Sequence, residues 1–215
     1  MTSHTDEGAL VLADISGFTE FVTATELEHG PPIIAELLGE VMRTLAPPLE
    51  IQEVEGDAVF ALGPNRVVRQ PAVLLDVIED AVGAFRNRQR ELAADDSCAC
   101  KACRSVGNLE LKVIAHHGRY LRQMVGDRRQ AAGGSVILAH RLLKNGLAGR
   151  RAYILVTEAA VRWLGVDPAH AGFERHTERY EHFGDVRYFV KDLPDDGVAG
   201  HAAARQPAAQ HALVH

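Results

Sequence analysis

The sequence predicts an α+β fold, a mostly antiparallel sheet with helices packed over it. Three observations carry that expectation. Short apolar, β-branched runs alternate with longer segments in which apolar residues recur every three to four positions. The turn Glu55-Gly56-Asp57 joins two such runs tightly, and a second hairpin is expected within residues 173–190, so neighbouring strands run antiparallel. The chain has 215 residues, 47% apolar and 24% charged, enough for one domain whose core needs neither disulfides nor a metal staple.

Residues 9–15 (ALVLADI) read as a buried strand that ends in Asp14-Ile15-Ser16-Gly17. A helix starts at Phe18, with Ser16 as its N-cap, and breaks at His29-Gly30-Pro31-Pro32. A second helix over residues 32–45 places Ile33, Leu37, Val41 and Leu45 on one face and stops at Pro47-Pro48. Strands follow over residues 49–54 and 58–62, then a loop over 64–70. Residues 73–92 form the clearest amphipathic helix, with Leu74, Val77, Ile78, Ala81, Phe85 and Leu92 on one side. Beyond the cysteine segment, strands are expected over 109–115 and 118–125, a helix over 133–147 and a strand over 152–156. A short helix capped by Thr157 precedes the final hairpin. Residues 9–193 thus make one domain with a cysteine-rich insert at 96–106, residues 1–8 a flexible start and residues 194–215 an unstructured tail with three histidines.

Composition removes several classes of function. No run approaches the ~18–20 apolar residues of a membrane helix, so no membrane association is expected. The polar start lacks an apolar signal-peptide core, which makes the cytoplasm the expected location. With 23 Lys+Arg against 29 Asp+Glu the formal charge is −6, which argues against nucleic acid as a partner. Three cysteines, all between positions 98 and 103, do not make a secreted disulfide framework.

Two motifs carry chemistry. In Ala13-Asp14-Ile15-Ser16-Gly17-Phe18-Thr19 a carboxylate leaves a buried strand just before a helix start, where free N–H groups suit phosphate and the carboxylate suits a hard cation. Glu55-Gly56-Asp57 puts a second carboxylate on a hairpin tip. If the two strands are neighbours, Asp14 and Asp57 lie side by side, the donor set of a two-metal phosphoryl-transfer site.

These motifs resemble those of class III nucleotidyl cyclases, the adenylate and guanylate cyclase catalytic domains, and the likeness runs from about residue 9 to 193. Residues 14–19 (DISGFT) are similar to the first metal motif, and 53–59 (EVEGDAV) to the second-aspartate hairpin. Residues 111–118 (LKVIAHHG), 133–142 (GGSVILAHRL) and 152–157 (AYILVT) look like the central strand, the catalytic helix and the strand after it. The chain looks closest to a bacterial branch with a Cys-x-Cys-x-x-Cys segment and a helix reading His140-Arg-Leu-Leu-Lys-Asn145. The resemblance implies the ferredoxin-like cyclase sandwich and a homodimer that turns a nucleoside triphosphate into a 3′,5′-cyclic nucleotide and pyrophosphate. It implies two Mg²⁺ or Mn²⁺ ions on Asp14, Asp57 and the Ile15 carbonyl, and triphosphate on the N–H groups of Gly17, Phe18 and Thr19. Arg141 of the second subunit would stabilise the charge built up in the reaction. Glu53 and Gln130 fall on the base-reading positions; Glu53 matches the guanylate rather than the adenylate pattern. Ile137 stands where the family has an asparagine, and Arg187 is the nearest cation to the late triphosphate lysine. These departures leave open a second reading, a homologue without turnover that serves as a nucleotide- or metal-binding regulatory module; neither reading names a protein partner.

Cys98, Cys100 and Cys103 have the spacing of a Zn²⁺ site, with a fourth ligand drawn from His116, His117 or His140. An iron–sulfur cluster, a redox pair, a metal shared across the dimer and three reduced thiols are the alternatives. A structural or regulatory role fits this place in the chain better than a catalytic one. Arg128-Arg129 reads as a charged loop that could meet phosphate.

Overall fold

The computed structural model describes residues 4–193 except Asp96, Ala99 and Ala148; the expected tail and the first three residues lie outside the described set. Strand β1 (His4–Ser16) is the spine of the sheet. It pairs antiparallel with β3 (Ala58–Pro64) on one side and β4 (Glu110–Val125) on the other. The sheet runs β2 (Glu50–Glu55), β3, β1, β4, β6 (Tyr153–Thr157), β8 (Gly184–Asp192), β7 (Glu174–Tyr180), with β5 (Arg128–Ala132) paired to the far half of β4. Every pairing is antiparallel but β4–β6, whose strands are joined by the crossover through α5 (Gly134–Leu142).

The two-residue period of β1 sorts its side chains. Ala9, Val11, Ala13 and Ile15 enter a core built with α2 (Gly30–Leu45) and α3 (Val73–Ala94). Leu10 and Leu12 enter a second core on the opposite face, with Ala139 and Leu142 of α5. Asp14 continues that second row. In α3, Leu74, Ile78, Ala81 and Phe85 are each 1% exposed, and full burial of each larger apolar side chain contributes roughly 1.5–3 kcal/mol. Gln89 of α3 is also buried; its amide donates to the carbonyls of Val106 (2.9 Å) and Leu109 (2.5 Å). That pair of bonds holds the 3₁₀ turn Val106–Asn108, and with it the end of the cysteine insert, against the core.

Several expected boundaries move. β1 begins at His4, because the long β4 gives residues 4–8 a partner and Arg122 and Arg66 pair with Asp6. Ser16 is the last residue of β1 and caps nothing; Gly17 holds the N-cap of α1 (Phe18–Ala24). Residues 110–125 are one strand rather than two neighbours, and the partner of its far half is β5, which returns over a turn at Gly126 (φ 65°). Helix α5 stops at Leu142, where Asn145 caps it: the side-chain amide donates to the Leu142 carbonyl (2.7 Å) and its oxygen accepts from Leu147 N–H (3.0 Å). The cysteine insert contains a short helix, α4 (Lys101–Ser105). Thr157 caps α6 (Glu158–Leu164) as expected, accepting from Ala160 N–H at 3.3 Å.

Candidate functional site

The end of β1 and the tip of the β2–β3 hairpin meet. Gly56 turns the hairpin with φ 59°, and Ile15 N–H donates to the Asp57 carbonyl at 3.1 Å. The register puts Asp14 between Ala58 and Lys112. Asp14 and Asp57 are thereby brought together. Burial, and next the negative charge of Asp14, push the Asp57 carboxyl above its ordinary pKa, while Lys112 pulls the other way. Lys112 Nζ lies 2.8 Å from Asp14 Oδ2, with the two side chains 20% and 16% exposed. Two partly buried carboxylates thus have beside them one ammonium, paired with Asp14, and the surplus negative charge on hard oxygen donors fits a divalent ion such as Mg²⁺ or Mn²⁺.

The turn that follows is shaped for close approach. Gly17 has φ 88°, a left-handed conformation that side chains disfavour. A Cβ there would stand 2.5 Å from the Arg151 guanidinium, which donates to the Asn108 carbonyl at 2.6 Å. Arg151 is therefore a cation at the turn of Gly17, Phe18 and Thr19, and sequence reasoning missed it. The only signal was the Arg150-Arg151 doublet ahead of β6. Arg187, the cation nearest the position of the late triphosphate lysine in the resembled domains, is paired with Glu158 of α6 at 3.2 Å. Phe18 links the two motifs, since its ring is the nearest group to the hairpin Gly56.

Glu53 and Gln130 lie in one cleft of about 780 Å³, between β2, the β4–β5 hairpin and α5. Its walls include Arg122, Arg128, Arg129 and His140, but neither Asp14 nor Asp57. Arg128 and Arg129 belong to β5 rather than to a loop. The side chains of Val54, Val125 and Ile137, each about half exposed, stand on the elements around this cleft. On α5, Arg141 donates to the Glu181 carbonyl (3.1 Å) and lies over the Phe183 ring.

The three cysteines converge, and their companion is His29 at the start of α2. Cys98 Sγ and Cys100 Sγ lie 3.5 and 3.3 Å from His29 Nδ1, and one ligand atom from each of the four residues falls within 4.8 Å of the others. The histidines expected in that place are engaged elsewhere. His116 Nδ1 bonds Thr157 Oγ1 at 2.9 Å, His117 stacks on Trp163 at 4.8 Å, and His140 meets the edge of Phe60 at 5.1 Å. Burial pulls His116 down to about 4. Among the described residues no helix is long and apolar enough to cross a membrane.

Solved structures share this architecture. The chain is similar to the adenylyl cyclase CyaB from P. aeruginosa, with 16% identity, a TM-score of 0.68, and 90% of this chain and 98% of that one covered. It is similar to the guanylyl cyclase Cya2, with 14% identity, a TM-score of 0.71 and coverage of 92% and 98%. The guanylate cyclase domain of RhGC from Catenaria anguillulae, solved with GTP, matches with 15% identity, a TM-score of 0.61 and coverage of 90% and 100%. In sequence, an uncharacterized protein of Mycobacterium tuberculosis is 29% identical over 167 residues, 75% of this chain and 76% of that protein. A family model described as "Protein of unknown function (DUF2652)" matches residues 34–151. Because that match spans more than half of its length, the chain belongs to the DUF2652 family, and its fold is that of the class III adenylyl and guanylyl cyclase catalytic domains.

Proposed function

We propose that this protein is a homodimeric nucleotidyl cyclase that converts a nucleoside triphosphate into a 3′,5′-cyclic nucleotide and pyrophosphate. The observation that carries the reading is the meeting of Asp14 and Asp57, with the Asp57 carboxyl raised by burial and by the charge of Asp14, beside the Gly17 turn. Asp14, Asp57 and the Ile15 carbonyl are the groups that would hold two Mg²⁺ or Mn²⁺ ions. Such ions, when bound, acidify the ribose 3′-hydroxyl and neutralise the leaving pyrophosphate. The 3′-oxygen forms a bond to the α-phosphorus, its proton leaves to solvent, and the bond to the β-phosphate oxygen breaks. The N–H groups of Gly17, Phe18 and Thr19 orient the triphosphate, and Arg151 adds positive charge where that charge is needed. Glu53 and Gln130 read the base, and Arg141 stabilises the equatorial phosphoryl oxygens.

The two groups of residues do not share one cleft, since the 780 Å³ cleft of Glu53 and Gln130 excludes both aspartates. A second copy, related by a two-fold axis, would bring one chain's aspartates to the other's base-reading cleft. The exposed Val54 of its wall, and Val125 and Ile137 on the elements that form it, support an interface there. Complementation tests this. Asp57→Asn and Arg141→Ala each abolish turnover alone. Mixed as unfolded chains and refolded together, they recover about a quarter of wild-type activity, because half the dimers then carry one intact site of two. No recovery in the mixture removes the composite site. Metal-dependent triphosphate binding without product in the wild type identifies a regulatory module instead.

A further inference from the structure

We infer that His29, Cys98, Cys100 and Cys103 form a structural zinc site that ties the corner between α1 and α2 to the insert between α3 and β4. Four observations on these residues agree. First, the ligand chemistry is three thiols and one imidazole, the Cys₃His set of structural zinc. Second, the spacing suits a tetrahedron: ligands at ~2.3 Å for sulfur and ~2.0–2.1 Å for nitrogen stand ~3.5–3.8 Å apart, and the two sulfur–nitrogen separations are 3.5 and 3.3 Å. Third, Cys100 caps α4 with its sulfur, accepting from Cys103 N–H at 3.4 Å, so the Cys-x-x-Cys pair is folded back on itself before any ion binds. Fourth, the two segments are already docked by a separate contact. The Glu26 carboxylate accepts from Lys101 N–H (3.2 Å) and Ala102 N–H (3.4 Å), and Ala102 is fully buried.

His29 and Cys98 are far apart in sequence, and that separation is what a structural ion would bridge. Binding displaces the three thiol protons to solvent, and His29 contributes its neutral Nδ1, so the occupied site carries one net negative charge. Lys101 and Arg104, on the same short helix, offset it. The site is separate from the carboxylates of Asp14 and Asp57. Its consequence for them is mechanical: it fixes the far end of α1, the helix that begins at the Gly17 turn.

The test is metal analysis of the full chain, purified without added metal. One zinc per chain is expected, with no thiol free to titrate until a chelator or mercurial removes the ion. Cobalt in its place should give sulfur-to-cobalt charge transfer and the visible bands of a tetrahedral ion, which the tail histidines cannot produce. His29→Cys should keep zinc, whereas His29→Ala should weaken its binding by more than ~100-fold, beyond the loss of a mere supporting group. Zinc-free protein with three freely titrating thiols overturns the inference, as does iron with visible absorption in place of zinc. If His29→Ala fails to fold, the wild-type metal content and cobalt spectrum decide alone.

Discussion

Lys112→Met examines whether the aspartate pair is built to take a cation. Lys112 is opposite Asp14 in register, and its ammonium is 2.8 Å from the carboxylate, with both side chains about four-fifths buried. At 2.8 Å and an effective dielectric of ~20, two unit charges attract by ~6 kcal/mol. Desolvation of both groups offsets most of that, leaving ~2–3 kcal/mol as the cost of removing one partner from a partly buried pair. Methionine keeps the stem and removes the charge. In a chain of this size the loss lowers Tm by roughly 5–10 °C. The loss should be recoverable. Without the ammonium, Asp14 loses its ion-pair partner and Asp57 the positive charge that favours its ionised form, so saturating Mn²⁺ should raise the Tm of Lys112→Met further than that of wild type. Adding Asp14→Asn should abolish that difference. The assay is thermal unfolding at neutral pH with and without Mn²⁺. A Tm within about 1 °C of wild type, or equal Mn²⁺ shifts in the two proteins, refutes the reasoning.

Three further outcomes are expected. Asp57→Asn should stabilise the metal-free protein while destroying Mn²⁺-dependent nucleotide binding. The Asp57 carboxyl is raised in the fold, so the native state binds more protons, and stability is lost as pH rises from the ordinary carboxylate value of 3.8 through the raised one; urea midpoints across that window should flatten in the variant. His116 works with the opposite sign. Its pKa falls from 6.5 to about 4 on burial, so the unfolded chain binds more protons, and stability present above 6.5 is lost as pH falls toward 4. That loss is on the order of 3 kcal/mol, and urea midpoints of His116→Gln should show a much weaker acid dependence. Gly17→Ala should cost about 1–2 kcal/mol from the left-handed backbone and push Arg151 off the turn, read as a raised KM for the triphosphate with the fold retained by circular dichroism.

What was legible in the sequence was local. The strand that carries Asp14, the glycine turn and the Asp57 hairpin sit in short stretches whose period and turn residues suffice. The approach of Asp14 to Asp57 follows from β1 and β3 being neighbours. β5 escaped because Arg-Arg-Gln-Ala-Ala has no apolar alternation and is set by pairing with β4. The single strand β4 was read as two because His116-His117-Gly118 resembles a break, whereas Gly118 is there for Ser135, whose hydroxyl would lie 2.3 Å from a Cβ. His29 and Arg151 could not be found by spacing. Each reaches its site from another part of the chain, His29 from the head of α2 and Arg151 from the approach to β6.

The most direct measurement incubates the full-length protein with Mn²⁺ and each of the four common nucleoside triphosphates, and follows pyrophosphate and cyclic nucleotide together. The account predicts equimolar release of both from one triphosphate, and none from Asp14→Asn. Absence of product from all four at high protein concentration, or pyrophosphate accompanied by a linear monophosphate, contradicts it.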